Sequence, residues 1–229
     1  MAPFDSLRSL RVKKSGFTLL EVLVAVAVFA MISAMVWYSI AQTFRTIEIV
    51  QAPGDMLRQA RQVTSRVPAE LSAAFLPFNA SPTANVKFEF VGEDEGDTDR
   101  VRFASLAHTK LYADANESDQ SEIEYFCEAD SKKGGTYRLF RREDTVIDDR
   151  ADEGGVTLLM AEDVKEFQLS YYDPQRDEWI EEWDTTRTDQ SNRLPYAVRL
   201  KLTLIDPDGF ERTWFTASTI RLAKPQEQR

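Results

Sequence analysis

The sequence has one cysteine, Cys127, and one histidine, His108, in 229 residues. A single thiol excludes an intrachain disulfide, so the fold must be held by its core. One cysteine and one histidine also fall short of the three or four ligands of a zinc centre. His108 sits among Leu106, Ala107, Thr109 and Lys110, with no motif of a Ser-His-Asp or Cys-His site around it, and the chain reads as a non-enzyme. Positive charge is scarce too: 28 Lys and Arg face 38 Asp and Glu, a formal charge of −10. Asp5 against Arg8, Arg11, Lys13 and Lys14 gives residues 1–16 a charge of +3, which leaves −13 for the rest. Such a surface repels nucleic acid and anionic headgroups. Repeats and low-complexity tracts are absent. A composition 43% apolar and 29% charged suits one ordinary domain plus an extra element.

Charge is missing altogether from Val22 to Ala41. Twenty residues at 1.5 Å rise match the roughly 30 Å hydrocarbon core of a bilayer, which predicts a spanning helix rather than the shorter apolar region of a secretory signal. The basic cluster precedes that run, so the N-terminus is expected in the cytoplasm and the acidic remainder across the membrane. Helix-compatible sequence continues to Gln51, where Pro53-Gly54 predicts a break. Asp55 then caps a segment in which Met56, Ala60, Val63 and Val67 recur at helical spacing, and Pro68 marks its expected end. The expected organisation is a basic leader over 1–16, an assembly helix over 17–67 interrupted at 53–54, a β-rich domain over 68–223 and a polar tail over 224–229.

Short alternating runs separated by turn residues predict an antiparallel β domain, giving an α+β fold overall. Ile123, Tyr125 and Cys127 alternate before Lys132-Lys133-Gly134-Gly135, and Tyr137 and Leu139 alternate after it. Phe167, Leu169 and Tyr171 lead into Asp173-Pro174-Gln175-Arg176 and a returning segment with Trp179 and Trp183. Val198, Leu200, Leu202 and Leu204 precede the turn Asp206-Pro207-Asp208-Gly209, with Phe210 to Ile220 returning. Val86 to Val91 and Val101 to Leu106 form an earlier pair, joined by the acidic Gly92 to Arg100 segment.

Glu21 is the local contradiction, a carboxylate beside a twenty-residue apolar run. A charge at a helix centre costs roughly 2.5–3.5 kcal/mol on insertion scales and calls for a partner. A cut after Gly16 would give Phe17 an α-amino group, with an ordinary pKa of about 7.7–8.0, able to offset Glu21 of a neighbouring subunit. The string Lys13-Lys14-Ser15-Gly16-Phe17-Thr18-Leu19-Leu20-Glu21 resembles the class III leader of type IV pilins and type II secretion pseudopilins. By that resemblance Gly16 is the last leader residue, Phe17 becomes the N-methylated terminus, and Glu21 acts in assembly.

Further along, Tyr171-Tyr172-Asp173, Trp179-Ile180-Glu181-Glu182-Trp183, Leu194-Pro195-Tyr196-Ala197-Val198-Arg199-Leu200 and Leu139-Phe140-Arg141-Arg142 resemble elements of the minor pseudopilin J family of type II secretion systems. The resemblance implies a structural subunit at or near the tip of a periplasmic pseudopilus. Its implied partners are I-like and K-like minor pseudopilins, the major pseudopilin, a prepilin peptidase and an inner-membrane assembly platform, with no cofactor. A minor pilin of a type IV pilus or competence system would share the leader, and a membrane-tethered periplasmic binding module would retain the residues before Phe17. The run Glu93-Asp94-Glu95-Gly96-Asp97-Thr98-Asp99 has oxygen ligands suited to calcium, but its spacing is not that of an EF-hand, and a solvated acidic loop is expected there and around Asp144, Asp148, Asp149, Asp152 and Glu153. Cys127 is expected as a small buried hydrophobe, and Trp179, Trp183 and Trp214 suit either a core or a subunit interface.

Overall fold

The apolar stripe that starts at Met56 does not stop at Pro68. Met56, Ala60, Val63, Val67 and Leu71 are all buried, at the i, i+3 and i+4 steps of one helix face. The helix α1 accordingly runs Leu19–Ser72, past both prolines expected to interrupt or end it. A proline removes one intrahelical hydrogen bond, yet its fixed φ is helical, and the buried side chains on either side of Pro68 hold the turn in place. The computed structural model describes residues 16–77, 88–108, 118–147 and 154–223, with the backbone alone over 43–53. The chain divides into two compact units, Met1–Val50 and Gln51–Arg229, and each is described by itself.

Among the described residues of the second unit, nine strands form one antiparallel sheet. They are β1 Phe90–Glu93, β2 Arg100–Ser105, β3 Ser121–Ala129, β4 Tyr137–Asp144, β5 Val156–Asp173, β6 Glu178–Ile180, β7 Trp183–Asp184, β8 Ala197–Ile205 and β9 Glu211–Thr219. Their order is β7-β1-β2-β3-β4-β5-β8-β9, with β6 also on β5. The 18-residue β5 is the joint: β4 pairs with its first half and β8 with its second, and the register shifts between Val164 and Glu166. The hairpins expected from turn chemistry are present at β1–β2, β3–β4, β5–β6 and β8–β9. Trp183 departs from the expected returning segment, because β7 crosses to pair with β1 instead of continuing beside β5.

Period-two alternation sends Phe103, Ile123, Tyr125, Leu139, Phe167, Tyr171, Leu200 and Leu202 into one buried cluster with the helical stripe. Gly92 is required where it stands, since a Cβ there would collide with the Tyr171 ring. Alternation also separates the paired arginines of β4. Arg141 shares the helix-facing side with Leu139, where its Nη2 lies 2.9 Å from the Glu70 carboxylate, which also accepts from Tyr125 Oη at 2.6 Å and Arg66 Nε at 2.8 Å. Arg142 takes the other side and meets Glu124 at 2.9 Å. Glu70 thereby ties the last turns of α1 to β3 and β4.

Candidate functional site

Gly16, Phe17 and Thr18 precede the first helical turn, and Leu19 opens it. The start is set by a reciprocal pair. Thr18 donates its backbone N–H to Glu21 Oε2 at 2.9 Å and its hydroxyl to the same oxygen at 3.2 Å, while the Glu21 N–H donates to Thr18 Oγ1 at 3.3 Å. This is a capping box, whose Thr-x-x-Glu spacing is legible in the sequence and satisfies amides that the first turn leaves open. Glu21 therefore has partners within its own chain before any neighbouring subunit supplies one.

Leu19–Gln42 is apolar on every side and exposed along its length, with mean hydropathy 2.6. Glu21 is its one charged side chain. A helix without a polar face has nothing to turn toward water, so its surroundings must be hydrocarbon or other apolar helices. Trp37 and Tyr38 lie near its far end, where amphipathic rings suit a membrane–water boundary. The basic cluster Arg8–Lys14 lies outside the described residues.

In the β-rich unit the three C-terminal strings noted in the sequence converge. Asp173, fully buried at the end of β5, receives Arg193 Nη2 at 3.0 Å and Nη1 in a shorter contact. That guanidinium holds the Asp173 carboxyl below the usual range, against the opposing effect of burial. Trp183 is fully buried, donates Nε1–H to the Arg193 carbonyl at 2.9 Å, and has the Arg193 guanidinium 4.8 Å from its ring centre. Leu194, next in the chain, is buried too. Aromatic strand, Trp-x-x-x-Trp and Leu-Pro segments are thus one packed corner.

The three tryptophans divide. Trp183 is core, Trp214 packs partly against the core, and Trp179 remains 38% exposed on the opposite sheet face. Cys127 is partly buried, and burial pushes its thiol up to about 12, as suits an inert apolar filler. His108 Nδ1 lies 2.9 Å from the Glu143 carboxylate, which Arg141 also contacts at 2.8 Å. Of the acidic run, Glu93 to Asp97 are exposed as expected, but Thr98 and Asp99 are not. Thr98 bridges Phe167 in parallel, and Asp99 accepts the Leu169 N–H at 2.5 Å. Burial, with like charge from Asp94 and Glu181, pushes Asp99 up to about 7. The segment Asp148–Glu153 lies outside the described residues.

Comparison with known proteins bears on both ends of this description. Residues 11–37 match the prokaryotic N-terminal methylation motif, and residues 39–216 match type II secretion system (T2SS), protein J. The type II secretion system protein J of Vibrio cholerae is 27% identical over 219 residues, covering 91% of this chain and 90% of that protein. Among solved structures, the GspK-GspI-GspJ complex of the enterotoxigenic Escherichia coli type 2 secretion system contains a chain aligning with a TM-score of 0.47 and 16% identity, over 75% of this chain and 99% of that one. A type IV-like pilin from Thermus thermophilus aligns with a TM-score of 0.47 and 12% identity, over 73% and 98%. With the methylation motif at its head and the family's pattern spanning most of the rest, the chain belongs to the type II secretion system protein J family.

Proposed function

We propose that this minor pseudopilin is made as a precursor, cut after Gly16, methylated on Phe17, and drawn by its apolar helix and Glu21 into the tip of a periplasmic pseudopilus. The observation that carries this reading is Glu21, paired with Thr18 at the head of a 24-residue apolar span otherwise free of charge. A cut at Gly16–Phe17 removes the basic leader that holds the N-terminus at the cytoplasmic face and creates an amine one residue before the cap. The Glu21 carboxylate then exchanges its internal partners for the Phe17 amine of a neighbouring subunit. The globular unit, on the far side of the membrane, contacts I-like and K-like subunits. In support, the Escherichia coli structure holds a J protein together with I and K proteins. A prepilin peptidase, the major pseudopilin and an inner-membrane platform complete the set of partners.

N-terminal mass spectrometry of protein purified from membranes tests the processing step. The expected first residue is methylated Phe17, a Gly16 variant is expected to keep residues 1–16, and a normal Phe17 terminus in that variant overturns the step. Glu21→Val is expected to be cleaved yet recovered poorly with other pilin-like subunits. Recovery and secretion at the level of the unaltered chain would remove Glu21 from assembly.

A further inference from the structure

The sheet face opposite the helix is not uniform. Registers place Gln168, Lys201 and Phe215 in one row across β5, β8 and β9, and Ser170, Arg199 and Ala217 in the next. Above these rows a cleft of about 310 Å³ is walled by Asp94 and Asp99 on one side and Glu181 on another. Its floor carries the polar side chains Gln168, Ser170, Arg199 and Lys201 beside Phe215. The two cations among them both have contacts elsewhere. Lys201 Nζ lies 2.8 Å from Glu166, and the Arg199 guanidinium stacks 4.2 Å from the Trp179 ring centre. Among the described residues no cation pairs with Asp94, Asp99 or Glu181; burial raises the Asp99 carboxyl most, and the like charges of Asp94 and Glu181 add to it.

Beside the cleft lies an exposed aromatic patch. Phe215 is 68% exposed, Tyr196 43% and Trp179 38%, and Tyr172 joins the last two through ring contacts at 6.3 and 5.4 Å. Tyrosine, tryptophan and arginine clustered on an exposed face are the residues that dominate protein interfaces. Two independent features, rings without cover and carboxylates without a cation, therefore share one surface.

We infer that this outer face of β5, β8 and β9 receives another pilin-like subunit, which lays apolar side chains on the aromatic patch and inserts a lysine or arginine between Asp94, Asp99 and Glu181. The inference rests on the assembly reading above and adds to it the surface and the chemistry of the partner. A basic side chain supplies an ion-pair partner to carboxylates that have none among the described residues, and a positive patch meeting a negative one steers association as well as holding it.

The test uses the full chain, coexpressed with its I-like and K-like counterparts, extracted from membranes and recovered through a tag. The variants are Asp94→Asn with Glu181→Gln, and Trp179→Ala with Phe215→Ala; Glu128→Gln removes a charge elsewhere on the sheet. Each of the first two is expected to recover at least tenfold less partner, and the charge variant to lose the salt sensitivity of recovery, while Glu128→Gln recovers as the unaltered chain does. Because Asp94 and Glu181 are exposed and raise the cost of charging Asp99, their neutralisation is expected to leave the thermal midpoint unchanged or higher, which separates lost binding from lost folding. Full recovery with both cleft and aromatic variants overturns the surface and leaves the assembly reading standing. If the unaltered chain recovers no pilin-like subunit, the assembly reading falls and this surface with it.

Discussion

Asp173 and Arg193 show how a surface-looking turn hides a buried charge. The Asp173-Pro174-Gln175-Arg176 segment reads as an ordinary turn, and it is one, with Gln175 N–H donating to Asp173 Oδ1 at 2.9 Å. Nothing local announces that Arg193, twenty residues on, completes the site. Arg193→Ala is expected to cost about 3–5 kcal/mol, because it leaves a carboxylate that has no access to water with only the half-exposed Arg176, 3.8 Å away, as a cationic partner, and urea denaturation measures it. Asp99 and Glu122 behave in the opposite sense to Asp173. Burial raises each to about 7, Asp94 and Glu181 adding to it at Asp99, while at Glu122 Arg142 and Arg102 draw it back. Between the ordinary carboxyl value and 7 the folded state holds a proton that the unfolded state has released, so stability present at pH 4 declines as pH rises toward 8. Denaturation midpoints across that range, flatter in Asp99→Asn, check the sign. The roles proposed for Gly16, Phe17 and Glu21 could be read from the sequence because they rest on neighbouring residues. Asp99 was hidden because its burial depends on Thr98 meeting Phe167, a contact between distant segments.

Strands announced themselves through alternation, and the hairpins through their turn residues, so most elements were legible before any coordinates. What alternation could not supply was the length of β5 or its double pairing, since its first residues, Val156 to Leu159, are exposed and carry no period-two signal. Helix α1 was misjudged for a related reason. Proline is a strong local breaker, but Leu71 lies one helical step beyond Val67 and is buried at 1% exposure, so packing outweighs the lost hydrogen bond. Leu71→Ala is therefore expected to cost about 2–5 kcal/mol, as for other buried leucines. Leu57→Ala, on the exposed side of the same helix at 41%, is expected to change stability by no more than about 0.5 kcal/mol. A chain whose helix ended at Val67 would show no such contrast, and equilibrium denaturation of the two variants reads it directly.

The two compact units differ in what their surfaces offer a solvent. Leu19–Gln42 has no polar face to offer water, while the unit beginning at Gln51 carries its own core and hides its helical stripe against its own sheet. The boundary that matters for folding is thus neither Pro68, where helix propensity fades in the sequence, nor Ser72, where the helix ends, but the start of the stripe at Met56. Five buried apolar side chains of the helix from Met56 to Leu71, with buried Glu70 fixed to Arg141 and Tyr125, belong to the β domain as much as any strand does. A chain starting at Gln51 is accordingly expected to be soluble and to unfold in one cooperative transition. A chain starting at Ala73 exposes the sheet face that the helix covered and leaves Arg141, 2% exposed in the intact unit, without the Glu70 carboxylate. That shorter chain is expected to aggregate or to lose its near-ultraviolet dichroism, because the core loses apolar cover and a buried cation loses its main partner in the same step. A cooperative, native-like transition from the chain beginning at Ala73 would show that the sheet folds without the helix, and that the stripe serves assembly alone.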